Sequence, residues 1–314
     1  MAIIRQDGFC FFDLGNKQRS LILDNRIEDT LDYIKEKNIT SLTIQPMLHD
    51  VVTDAFEKGF LISGISNLDF LARIPDLKEL RLIDINPCNI DGIYSLKKLS
   101  SLTISNAKND PKKNIRVDFS RINALVELNI DWFDDGFDIS RNEKLETVSI
   151  RKYNSSNCDF TELRLPEKIK RLELIRSNIR CFHGLHSDTI EYLECSYLPM
   201  LETLEGIEHA SKCLKSLMID NAKRLNNYDG ITKCLHIQDL VLVKCGDMHS
   251  LNCIRPLKKL NRVVLDKTVV TDGDIMPLMQ VKKVAVTNKP HYNCKCVIST
   301  NTNKEWRYAL VAEH

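Results

Sequence analysis

The segment ISGISNLDFLARIPDLKELRL, from Ile62 to Leu82, sets a rhythm that much of the chain repeats. Its apolar residues Ile62, Ile65, Leu68, Leu71, Ile74, Leu77 and Leu80 fall at steps of three, and the spacing then tightens to two at Leu82. A strict step of three is not α-helical: at ~100° per residue the apolar stripe drifts ~60° with each step and circles the helix. One inward residue in three fits 3₁₀ or polyproline-like turns, and a spacing of two fits a strand. The expected unit is a turn-rich return leg ending in a short strand, which buries its apolar edge only by stacking on copies of itself.

Those copies are present. The pattern apolar-x-x-apolar-x-apolar recurs at Ile39/Leu42/Ile44, Leu77/Leu80/Leu82, Leu99/Leu102/Ile104, Leu125/Leu128/Ile130, Leu145/Val148/Ile150 and Ile169/Leu172/Leu174. It continues at Ile190/Leu193/Cys195, Leu214/Leu217/Ile219, Ile237/Leu240/Leu242, Leu260/Val263/Leu265 and Val281/Val284/Val286. From Leu80 to Val284 the middle residues follow one another at intervals of 20 to 26 residues. These residues resemble leucine-rich repeats, and Ile90/Ile93/Leu96/Leu99 and Met248/Leu251/Ile254/Leu257/Leu260 resemble the short type seen in internalins and in a protein-phosphatase regulator. The resemblance spans roughly residues 60 to 288 and implies an α/β fold: a right-handed leucine-rich-repeat solenoid, or horseshoe, with a concave parallel β-sheet.

One departure from that family stands out. Three residues after the last strand Leu the family usually carries Asn, whose side chain satisfies backbone groups inside the coil. Here those positions hold Ile85, Ala107, Phe133, Tyr153, Ser177, Leu198, Ala222, Cys245, Thr268 and Lys289. Phe133 and Tyr153 read as too large to hide easily, so irregular coils are expected. Unsatisfied buried backbone costs ~1–3 kcal/mol per group, which leaves water or the neighbouring Asn86, Asn154 and Asn178 to compensate.

Composition narrows the function classes. With 44 basic and 43 acidic residues the formal net charge is +1, without the basic excess of a general nucleic-acid binder. No apolar run approaches the ~18 residues of a membrane span, and Asp7 and Asp13 interrupt the start, so no cleaved secretory signal is expected. Eleven cysteines without a signal peptide read as reduced thiols in a cytoplasmic protein, with a disulfide-bonded secreted protein as the alternative. His291, Cys294 and Cys296 lie close together but lack a second ligand pair, so neither a metal nor a cofactor is expected.

The chain divides by this reading into an N-terminal α/β cap with the first repeat strand (1–58), about ten leucine-rich coils (59–288) and a C-terminal β-hairpin cap (289–314). Caps are required because a stacked solenoid exposes apolar surface and strand edges at both ends. In the first segment Ala2 to Leu14 and Arg19 to Leu23 alternate as two strands, and Asp24 or Asn25 caps a helix to about Lys37 with Ile27, Leu31 and Ile34 inward. A second helix is expected at His49 to Lys58, a strand near Phe60 to Ile62, and a polar loop at Asn106 to Asn114.

Candidate binding residues follow from the strand geometry. The residue between the last two core positions of each strand points away from the core: Thr43, Arg81, Thr103, Asn129, Ser149, Glu173 and Glu194 are polar, whereas Met218, Val241, Val264 and Ala285 form an apolar stripe. Such a stripe bordered by charge suits a protein partner, although β-branched residues are also good strand formers and a C-terminal segment could cover them. The stretch Asp131 to Asp138 sets Trp132, Phe133 and Phe137 among four aspartates without the spacing of an EF-hand. Either the phenylalanines fill a coil that lacks Asn, or the rings form an acid-ringed hot spot for a basic partner with Trp132 exposed.

No catalytic motif links the eight histidines, no glycine loop cradles a phosphate, and no enzymatic activity is expected. The expected function is non-catalytic recognition of another protein on the concave face, with neither nucleic acid nor membrane as partner. Trp132, Tyr153, Tyr192, Tyr197, Met218, Val241 and Val264 would supply affinity, and Arg151, Arg171, Glu173 and Glu194 selectivity. By analogy with the family the protein would be an inhibitor, an immunity protein or an effector of bacterial type; the alternative is a regulatory subunit of an enzyme such as a phosphatase.

Overall fold

The last two residues of each apolar triplet lie in a strand. A computed structural model describes residues 2–16, 18–45, 65–106, 115–133, 136–300 and 306–312. The expected helix at 49–58 and strand at 60–62 lie outside these residues, as does most of the loop at 106–114. The chain forms two compact units, residues 1–145 and 146–314.

The first unit opens with two antiparallel hairpins, β1 (Ala2–Gln6), β2 (Phe9–Gly15) and β3 (Gln18–Ile22). The single strand expected over Ala2 to Leu14 is thus broken. Asp7 and Gly8 both take positive φ, 53° and 81°, the two-residue geometry that reverses a hairpin. Helix α1 (Ile27–Lys37) follows, with Arg26 as its N-cap residue. Neither Asp24 nor Asn25, the expected caps, takes that position; Asp24 instead accepts the Arg26 backbone N–H at 2.8 Å and its guanidinium at 2.6 Å. Leu31 and Ile34 are buried as expected but Ile27 is only half-buried; Tyr33 completes the inner face by stacking on Phe9 at 4.2 Å and donating to Asp7 at 2.9 Å.

From β3 onward the strands run parallel: β4 (Ser41–Ile44), β5 (Glu79–Ile83), β6 (Ser101–Ser105) and β7 (Glu127–Asp131). Their register sets Leu21, Leu42, Leu80, Leu102 and Leu128 side by side, each fully buried. The three-residue rhythm survives in the return leg: Leu68, Leu71, Ile74 and Leu77 are all buried, through a 3₁₀ turn at Asp69–Arg73.

The second unit repeats the plan with β8 (Thr147–Arg151), β9 (Arg171–Ile175), β10 (Tyr192–Ser196), β11 (Ser216–Asp220), β12 (Asp239–Val243), β13 (Arg262–Asp266) and β14 (Lys283–Val286), all parallel. The ladder here is Val148, Leu172, Leu193, Leu217, Leu240, Val263 and Val284. A separate hairpin, β15 (Cys294–Thr300) and β16 (Trp306–Ala312), packs against β14. One parallel strand per repeat of 20 to 26 residues, backed by 3₁₀ turns, is the leucine-rich-repeat architecture in both units.

The missing Asn is replaced coil by coil. Ile85, Phe133, Tyr153, Ser177, Leu198, Ala222, Cys245 and Thr268 all point inward and are buried, which corrects the expectation that Phe133 and Tyr153 are too large to hide. Tyr153 is fully buried because its ring heads a stack with Phe160 at 6.0 Å, followed by Phe182 at 5.5 Å from Phe160, and its hydroxyl donates to the Asp159 carbonyl at 2.9 Å. Asn178 compensates as expected, accepting from the Ser155 N–H and donating to the Ser155 carbonyl. Thr268 and Cys245 do the same work in later coils, the Thr268 hydroxyl accepting the Cys245 N–H at 3.1 Å and the Cys245 thiol donating to Ile219 at 3.4 Å.

A second polar ladder opens the return legs. The side chains of Asn67, Asn89, Asp118, Asp138, Asp159, Thr203, Asn227, Ser250 and Asp272 each accept the N–H two residues on, the Asx or Ser/Thr turn that starts a tight bend. Among the described residues no helix is long and apolar enough to cross a membrane.

Burial of cysteines makes the fold sensitive to alkali. Burial pushes the thiols of Cys234 and Cys253 up to about 12 and that of Cys245 to about 11, against 9.0 for an ordinary thiol. Above the ordinary value the unfolded chain gives up protons that the folded chain retains, so stability present below pH 9.0 is lost as pH rises through the folded values. The unfolding free energy, measured by denaturant titration, is expected to fall by a few kcal/mol in total between about pH 9 and 12, and a flat profile would contradict the enclosed thiols.

Candidate partner-binding face

Alternation along each short strand sends one set of side chains into the coil and the other onto the open sheet face. In the second unit the register places Ser149, Glu173, Glu194, Met218, Val241, Val264 and Ala285 in one row across seven strands. A flanking row runs Thr147, Arg171, Tyr192, Ser216, Asp239, Arg262 and Lys283.

Glu173 and Glu194 stand directly side by side on neighbouring strands. Like charges in that relation cost ~0.2–1 kcal/mol, so sheet stability alone does not favour them. Arg171 moderates the repulsion: its guanidinium lies 3.3 Å from the Glu194 carboxylate and 4.8 Å from the centre of the Tyr192 ring. All three side chains keep substantial exposure, so the ion pair itself contributes little to stability. Arg151, half-buried, pairs in register with Ile175.

The apolar stripe lies beside this charged patch. Met218, Val264 and Ala285 are half-exposed, whereas Val241 is only 8% exposed because the side chains on either side crowd it. Val241 is therefore a floor between Met218 and Val264 rather than a contact point. Tyr197, 49% exposed, lies off the strand face in the turn after β10, where Arg176 approaches its ring at 5.9 Å.

Two expected contact rings are buried. Trp132 is only 6% exposed because its ring packs 4.6 Å from Phe137, which also meets Phe133 at 5.2 Å and Phe119 at 5.6 Å. These rings fill the coil where Asn is missing, and the exposed hot spot expected around Trp132 does not form. Tyr153 is withdrawn from the face for the reason given above. Asp138, read as part of an acidic cluster, instead caps the Ser140 N–H at 2.9 Å.

Just past the carboxyl ends of β8 to β11 lies a concavity that includes Tyr197 together with Lys152, Arg176, Lys223 and Arg224. Sequence reasoning missed it, although a signal exists: basic or aromatic residues follow the strand ends at Lys152, Arg176 and Tyr197. Among the described residues no group of three or more His, Cys, Asp or Glu side chains is placed to hold a metal ion.

No protein-family model matches the sequence, and no curated relative does. Solved structures with partial likeness include an internalin, InlF, of Listeria monocytogenes, at 12% identity and a TM-score of 0.46, with 71% of this chain and 66% of that one covered. A leucine-rich-repeat protein of Leptospira interrogans shows 15% identity and a TM-score of 0.46 over 86% of this chain and 72% of its own. The functional domain of InlJ from Listeria monocytogenes, which includes a cysteine ladder, shows 10% identity and a TM-score of 0.43 over 87% of this chain and 78% of its own.

Proposed function

We propose that this leucine-rich-repeat protein is a non-catalytic binding module that recognises another protein on the open sheet face of its second unit. The observation that carries the reading is the juxtaposition, on adjacent strands, of the Glu173/Glu194 pair with Arg171 and Tyr192 and of the half-exposed Met218 and Val264. An apolar centre bordered by charge is how a protein-recognition site is built: buried contacts supply affinity, and the charges fix register and reject wrong partners. An exposed Tyr192 at 37%, partly ordered by Arg171, supplies a rigid amphipathic contact. Fully enclosed thiols such as Cys195 and Cys234, packed as small apolar side chains, are compatible with a reducing, cytoplasmic setting, and an inhibitory or effector role follows if the face covers a functional surface of its partner.

The test is a double substitution, Met218→Glu with Val264→Glu, compared with wild type in affinity capture from native cells. Placing two carboxylates in the apolar centre is expected to weaken partner capture by more than about tenfold, since central interface residues carry ~2 kcal/mol or more each. Unchanged circular dichroism would show that the coils remain folded. Equal capture of the same partner by both proteins would sink the reading.

A further inference from the structure

The concavity past β8 to β11 has a volume of about 840 Å³, within the ~300–1,000 Å³ of sites that take small organic ligands. Four cations line it, Lys152, Arg176, Lys223 and Arg224, and among the described residues no carboxylate does. Some cations elsewhere in this unit are matched by acids on neighbouring coils: Lys170 with Glu146 at 3.0 Å, Lys212 with Asp188 at 2.6 Å and Lys215 with Glu191 at 2.7 Å. Among the described residues Arg176, Lys223 and Arg224 form no such ion pair; Arg224 reaches only the Met200 sulfur, at 3.4 Å. Converging cations without acids repel one another, and an anion in the pocket removes that repulsion.

The backbone supplies an independent observation. Lys152, Arg176, Tyr197 and Asn221 take φ of 59°, 57°, 58° and 61°, each donating its N–H to the last residue of the next strand at 2.8 to 2.9 Å. The coil turn imposes this left-handed conformation, which glycine or asparagine adopts most easily. The same turn holds Asp84, Lys244 and Lys267 after other strands, but only at Lys152, Arg176 and Tyr197 do three consecutive turns bring Lys, Arg and Tyr side chains into the lining of the pocket. The apolar part of the lining includes the open Tyr197 ring, Pro199 and Met200, and the ring is a surface on which a flat ligand can stack.

We infer that this pocket binds a small organic polyanion carrying a flat ring, the chemical class of nucleoside di- and triphosphates. Arg176, Lys223 and Arg224 take the phosphate oxygens and Tyr197 the ring; guanidinium groups suit phosphate because they donate two parallel hydrogen bonds. The site is distinct from the sheet face and does not depend on a protein docking there.

The test is calorimetric titration of the full chain with ATP, alongside tripolyphosphate, adenosine and a thymidine oligonucleotide. ATP is expected to bind once per chain, adenosine not measurably, and Arg176→Glu with Lys223→Glu to weaken ATP by about tenfold or more. Tyr197→Ala is expected to weaken ATP while leaving tripolyphosphate unchanged. Should the double reversal lose its circular dichroism signal, Arg176→Gln with Lys223→Gln takes its place with the same expected direction. Failure of ATP to bind, or equal binding by the folded charge variant, overturns the inference. So does tripolyphosphate binding as tightly as ATP, which removes the ring, or tighter binding of the oligonucleotide, which makes the pocket part of a nucleic-acid groove.

Discussion

Phe160→Ala is expected to cost about 3–5 kcal/mol of stability, among the largest effects of any single truncation in the second unit. The ring is 1% exposed and sits between Tyr153 at 6.0 Å and Phe182 at 5.5 Å, so its removal leaves a cavity bounded by two aromatic faces. Those neighbours cannot collapse into the space freely. Tyr153 is tied through its hydroxyl to Asp159, and the Phe160 N–H is itself bonded to the His183 carbonyl at 2.8 Å. A repeat solenoid also passes local damage to its neighbours, because each coil is stabilised mainly by the coils on either side. Urea denaturation followed by circular dichroism measures the effect; a loss below about 1 kcal/mol would mean that the aromatic stack does not stand in for the missing Asn ladder.

Gly206→Val is the second large effect. Gly206 has φ of 94°, where a side chain is strained, and it opens the 3₁₀ turn at Ile207–Ala210. A Cβ there would lie 2.5 Å from the His183 nitrogen, and nearer still to the Phe182 carbonyl carbon, both in the backbone of the preceding coil. The close approach of two coils therefore requires glycine, and a valine forces them apart. Conformational strain of ~1–2 kcal/mol and overpacking of ~1–3 kcal/mol add to about 2–5 kcal/mol. Gly15→Ala is the control: φ is 82°, but nothing lies within 4 Å, so only the conformational part should appear. Equal losses for Gly206→Val and Gly15→Ala would show that inter-coil contact is not the cause.

The strands were legible because their signal is local and repeated. The last two residues of every triplet from Leu80 to Val286 lie in a strand, and even Cys195, the one marker outside Leu, Ile and Val, is fully buried. The return legs were legible for the same reason, as Leu68, Leu71, Ile74 and Leu77 show. What the pattern did not reveal was how much room each coil holds. Phe133 and Tyr153 read as too large to hide, and Trp132 as an exposed hot spot, yet the space left by the absent Asn accommodates them with Phe137 and Phe160.

Backbone conformation was the other gap. The Asp7-Gly8 turn and the cap ladder at Asn67, Asn89 and Asp118 follow ordinary turn chemistry, and their residues were available to be read. The left-handed turns at Lys152, Arg176 and Tyr197 were not, because they are imposed by hydrogen bonds to the next strand against the preference of the residue itself. The basic pocket they form is therefore a property of stacking. On the sheet face, periodicity located Glu173, Glu194, Met218 and Val264, but only register showed that Val241 is shielded between its neighbours.

The central claim is that a protein docks on the sheet face of the second unit. It is tested most directly by photocrosslinking, with benzoylphenylalanine placed singly at Glu194 or Val264 and, as controls, at Leu235 or Met279. The control positions are 53% and 52% exposed, so simple stickiness would label them at least as well. Crosslinks to one partner from Glu194 and Val264, with none from Leu235 and Met279, are the predicted result. Crosslinks from the controls alone, or equally from all four positions, would contradict the account.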